Sequence, residues 1–148
     1  MNSIPGARIE SANSTADKER KGTLESFTEL AGRALLAVLF LLSGLGKLGA
    51  YSSTAGYMSS VGVPTALLPV VIATEVLGAL AIILGWKTRT VAMLLAGFSL
   101  LTAITFHRNF ADQIQMTNFL KNVSIAGGFL SLAANGPGFV SIDRHFAK

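Results

Sequence analysis

Four apolar runs without a polar stripe constrain this chain more than any other feature. They read AGRALLAVLFLLSGLGKLGA, PTALLPVVIATEVLGALAIILGW, TRTVAMLLAGFSLLTAITFH and TNFLKNVSIAGGFLSLAA, the last halted by NGPG. A helix of a water-soluble bundle keeps one polar face, and these do not. Each is close to the ~20 residues that cross a ~30 Å hydrocarbon layer. Only 14% of the residues are charged, whereas soluble domains carry about a quarter. The predicted fold is all-α, a four-helix transmembrane bundle, with the lipid bilayer as its first partner.

The charges that remain sit between and outside the runs. Residues 1–28 are polar and are expected to form a largely disordered tail, helical from Thr23 onward. Residues 29–138 form the four-span domain, and 139–148 a short C-terminal tail. A cleaved leader is a poor reading, because the first apolar run starts beyond residue 30 and is too long. Orientation follows the Lys and Arg bias. With both ends on one side, that side holds Arg8, Lys18, Arg20, Lys21, Arg33, Lys87, Arg89, Arg144 and Lys148, against Lys47, Arg108 and Lys121 opposite. Both termini are therefore expected in the cytoplasm. Arg33 and Trp86 would mark the cytoplasmic boundary, and YSSTAGYMSSVGVP would form an outer loop with Tyr51 and Tyr57 as interfacial anchors.

Composition also excludes. The chain has no cysteine, which removes disulfides, iron–sulfur clusters and thiol redox chemistry from its own repertoire. With only His107 and His145, far apart, no metal or haem site is expected. The net charge of +4 is accounted for by residues flanking the spans, so nucleic acid is not an expected partner. GLGKLG lies within a span rather than between a strand and a helix, so it is no nucleotide fingerprint.

Polar residues within the runs are costly and therefore informative. Glu75 falls near the middle of the second span and must face the interior with a partner. Lys121 is the expected partner and Lys47 the next. Alternating span direction brings Lys47, His107, Asn118, Lys121 and Asn122 towards one end of the bundle, and the four-residue spacings of Ser43 with Lys47 and Asn118 with Asn122 put each pair on one face. Gly127 and Gly128 are expected to leave room for a ligand tail or for Glu75. Plainer readings stand beside these: both lysines snorkel to the interface, His107 is an interfacial residue, and the Glu–Lys pair serves helix register alone.

The pieces GRALLAVLFLLSGLGKL, AGYMSSVGVP, ATEVLGALAIILGWKTR, NFLKNVSIAGGFL and GPGFVSIDR, in that order over residues 30 to 144, resemble the DoxX family, in its small bacterial inner-membrane branch. The resemblance implies a four-helix, multi-pass protein of the inner (plasma) membrane, with the family's polar positions at Arg33, Lys47, Glu75, Lys121 and Asn122. It also implies an association with quinone-linked oxidoreductases and membrane oxidative-stress complexes.

The leading expectation is a redox-associated subunit, itself non-catalytic or accessory, that holds a lipophilic ligand such as a quinone. Lys47, Glu75, His107, Asn118, Lys121 and Asn122 would form its polar network. No catalytic residue, metal or covalently bound cofactor is expected. The expected partners are a membrane or periplasmic redox protein, with self-association as an option. The alternatives are a small-anion or proton transporter, and a membrane scaffold or chaperone without chemistry.

Overall fold

A computed structural model describes the chain from Pro5 to Phe146, with side chains at Arg20 and from Gly22 onward. It contains α1 (Pro5–Gly49), α2 (Tyr51–Ser60), a single 3-10 turn (Thr65–Leu67), α3 (Leu68–Leu84), α4 (Thr88–Phe106), α5 (Gln113–Asn135) and the short α6 (Ile142–Phe146). No strand occurs among the described residues. Three helical stretches are long and apolar enough to cross a membrane: Gly22–Gly49, Thr65–Leu84 and Thr88–Phe106. The fourth apolar run does form a helix, α5, but Gln113, Gln115, Asn118, Lys121 and Asn122 crowd its first ten residues and dilute its hydropathy.

Two local expectations change. α1 begins at Pro5, well before Thr23, where composition places the first helical turn. Its Ala, Glu, Lys and Arg content favours a helix. The segment expected as an outer loop is also mostly helical, as α2, whose Met58 is buried against Leu68 and Ile72.

α1 packs chiefly against α3, and α4 against α5, while α3 and α4 are joined by a tight turn. Contact between α1 and α5 is sparser. Small residues make these approaches possible. A Cβ at Gly44 would lie 2.7 Å from Val76 Cγ2, and one at Gly78 would lie 2.9 Å from Leu95 Cδ2. The buried positions are largely alanines (Ala37, Ala79, Ala92, Ala96, Ala103, Ala126), whereas Leu35, Leu77 and Leu101 are 71%, 65% and 64% exposed. Water-soluble bundles bury their leucines. A chain that buries small residues and turns large ones outward matches a hydrocarbon solvent, where close backbone contact rather than apolar burial joins helices.

Candidate functional site

Lys47, near the end of α1, donates to both carboxylate oxygens of Glu75 at 2.8 and 2.9 Å. Ser43, one turn earlier on the same face, accepts from Lys47 Nζ at 2.7 Å and donates to Glu75 Oε1 at 3.2 Å. Glu75 is only 5% exposed. The carboxylate is thus neutralised and triply hydrogen-bonded, which a charge at this depth requires. Its partner is Lys47, not Lys121. The reason is helix adjacency, since Gly44 brings α1 against the very turn of α3 that carries Glu75, leaving 3.2 Å between a Gly44 Cβ and Glu75 Cβ.

The pair borders a cavity of about 680 Å³ between the helices at this end, within the size range of small-molecule sites. All six candidate residues, Lys47, Glu75, His107, Asn118, Lys121 and Asn122, line it. The apolar part of the wall includes Leu39, Phe40, Phe98 and Ile125. Below, Phe40 meets Phe129 edge-on at 5.3 Å, and the alanine-rich core fills the rest of the bundle. From α2, Thr54, Tyr57 and Met58 cover the cavity, with Tyr57 stacked on Phe106 at 5.7 Å.

The other polar groups differ in how they are held. His107 Nδ1 lies 2.8 Å from Gln115 Oε1. An amide oxygen only accepts, so in this pairing Nδ1 is the donor. Asn122 Nδ2 donates back to Asn118 O at 3.0 Å. Lys121 is exposed at the cavity rim, and the Lys47–Glu75 contact is the one salt bridge among the described residues. Gly127 and Gly128 do not widen the cavity. Gly127 faces open space, and a Cβ at Gly128 would lie 3.0 Å from Leu36 Cδ2, so Gly128 is a packing position between α5 and α1.

The opposite end is built differently. Arg33 does not mark a boundary from the surface, since it is 3% exposed. Its guanidinium donates to the carbonyls of Pro137, Ile83 (3.2 Å) and Val140 (2.7 Å). Glu29 accepts from Phe139 N–H at 3.0 Å, and Arg89 donates to the last carbonyls of α5, Ala133 and Ala134, at 3.0 and 2.8 Å. Asp143 accepts from the N–H groups of Lys87 and Thr88 at 2.6 and 2.8 Å, capping α4. Burial raises the pKa of the Asp143 carboxyl, but those N–H groups and the Arg33 guanidinium outweigh it and hold it below the usual carboxylate range. The segment after NGPG is therefore a clasp across the bundle end rather than a free tail.

Sequence reading overlooked Thr102, Thr105 and Phe98, which line the cavity from α4. Only the four-residue spacing of Phe98, Thr102 and Phe106 on one helix face signals them.

The fold and cavity define a small multi-pass membrane protein with a largely apolar chamber, set with a few polar groups, at one end of its bundle. A DoxX family model matches residues 28–108. The inner membrane protein YqjF of Escherichia coli (strain K12) is 50% identical over 125 residues, covering 84% of this chain and 96% of that protein. The inner membrane protein YphA of the same organism is 40% identical over 122 residues, 78% of this chain and 87% of that one. The chain belongs to the DoxX family and is a protein of the bacterial inner membrane. No solved structure matches it.

Proposed function

We propose that this protein is a redox-associated membrane subunit whose cavity holds a lipophilic ligand with an oxygen-bearing head group, of which a quinone is the leading candidate. The observation carrying this reading is the composition of the cavity. A long apolar wall of Leu39, Phe40, Phe98 and Ile125 ends in ammonium, amide and imidazole groups suited to carbonyl or hydroxyl oxygens. α5 is taken as a fourth crossing antiparallel to α4, and both termini as cytoplasmic, which puts the cavity at the outer face. The reading as a transporter fits less well, because alanine-rich packing and the clasp fill the bundle below the cavity.

The test is identification of lipid-soluble molecules in organic extracts of the purified protein. A quinone enriched over the surrounding membrane is expected, and it should be depleted in Lys121→Arg and Asn122→Leu at matched expression. An extract indistinguishable from bulk lipid, in wild type and variants alike, would remove the ligand. Reporters fused after Lys148 and inserted near Thr54 test the orientation: activity in the cytoplasm for the first and outside for the second is expected, and the reverse would invert it.

A further inference from the structure

The cavity does not balance its charge. Among the described residues its lining holds two ammonium groups, Lys47 and Lys121, and one carboxylate, Glu75. Lys47 takes up that carboxylate completely, contacting both oxygens with Ser43 bridging. Lys121 is left at the rim with no carboxylate within ion-pair reach. On the same face one turn earlier, Asn118 also lines the cavity, and among the described residues its side-chain amide donates to no acceptor. Unmatched donors and one net positive charge thus stand at the mouth of a chamber walled mainly by hydrocarbon.

Resting on the reading of the cavity as a lipophilic-ligand site, we infer that the bound head group is an oxyanion, received by Lys121 with the Asn118 amide. Two sources share that chemistry: the carboxylate of a single-chain lipid, and the ionised hydroxyl of an acidic quinone. A neutral head group would satisfy the hydrogen bonds but leave the Lys121 charge unmatched. An oxyanion satisfies both, and charge-assisted bonds are the stronger kind. Glu75 does not oppose it, because its own charge is already neutralised by Lys47.

The experiment measures binding of two matched pairs to the full chain in phosphatidylcholine nanodiscs by native mass spectrometry. One pair is lauric acid and its methyl ester; the other is an alkyl hydroxynaphthoquinone and its methyl ether. The measurements are made at about pH 9, well above the ordinary carboxyl range, so that both acids are ionised even against the bilayer's desolvation. Within at least one pair the acid should bind roughly five- to tenfold more tightly than its neutral partner. Lys121→Met should bring that ratio close to one, and an unaltered thermal melting transition shows that the variant is folded. The pair that displays the preference names the source. Equal binding of acid and neutral partner in wild type overturns the oxyanion and leaves the lipophilic site standing. A ratio unchanged in Lys121→Met overturns Lys121 as the receptor. Failure of all four probes to bind removes the site itself and this inference with it.

Discussion

The two ends of the bundle use the same kinds of side chain for opposite purposes. At the clasp, Arg33, Arg89, Glu29 and Asp143 all address backbone groups. These contacts satisfy peptide N–H and C=O groups that a turn in or near a membrane would otherwise leave bare. At the cavity, Lys47, Ser43, Glu75, His107 and Gln115 address one another, and Lys121 addresses nothing fixed. Backbone-directed contacts close a structure, because the acceptor cannot turn away. Contacts among side chains around a cavity can be exchanged for contacts to a guest. The difference separates structural charge from charge available for binding more clearly than burial does, since Arg33 and Glu75 are about equally hidden.

Changes at the two ends should break or sharpen that contrast. The largest effect is expected from Arg33→Met, which strips three carbonyls of their donor. Losing one partner of a buried charged network costs roughly 3–5 kcal/mol, read as thermal unfolding in detergent. Arg33→Lys should recover little, because a point ammonium does not reproduce the fork. Ligand retention below the melting transition should be unchanged; a loss there would mean that the two ends are coupled.

Next in size is the cavity pair. Glu75→Gln or Lys47→Met alone should cost about 2–4 kcal/mol, with the double variant losing less than the two together. Lys121→Met combined with Glu75→Gln should instead be additive. Coupling of Glu75 to Lys121 in that cycle, and none to Lys47, would overturn the pairing.

Gly44→Ala should cost about 1–3 kcal/mol by overpacking, since the new methyl would sit 2.7 Å from Val76 Cγ2. Gly127→Ala, which meets open space, should be neutral or slightly stabilising through helix propensity. Equal effects at the two glycines would deny Gly44 its part in bringing Lys47 to Glu75.

The smallest effect is expected at Asp143. Asp143→Asn should cost about 1 kcal/mol or less, as for other helix caps. Because the folded-state pKa of Asp143 is lowered, its contribution is fully present above the ordinary carboxylate pKa of about 4 and is lost as pH falls through the lowered value. Wild type should therefore lose stability on acidification below about pH 4, and Asp143→Asn should lose less over the same interval. Parallel profiles would show that the cap is not ionic.

Much of this was legible before any coordinates. Apolar run length disclosed the membrane helices, because hydrocarbon tolerates few other patterns. Alternating direction alone indicated that His107 and Lys121 lie at the same end as Lys47, and all line one cavity. The partner of Glu75 was not legible, since that depends on which helix lies nearest. Gly44 decides it, by a backbone approach that glycine permits but does not announce. The clasp was hidden for a related reason: Arg33 and Asp143 bond to backbone atoms, which every residue possesses. α2 was missed because Tyr51–Ser60 is rich in Ser and carries Gly56 at its middle, and Met58 folds it down onto α3.

Arg33 also sets a timetable for synthesis. Two of its acceptors, Pro137 and Val140, follow it by 104 and 107 residues. At ordinary translation rates of about 5–20 residues per second, that is a wait of roughly five to twenty seconds. Through that interval a guanidinium destined for burial has to lean on lipid phosphate, water or the insertion machinery. This end of the bundle can be sealed only after Val140 has been made, so a nascent chain stopped before Pro137 carries an open end and an unmatched charge by which quality control could recognise it.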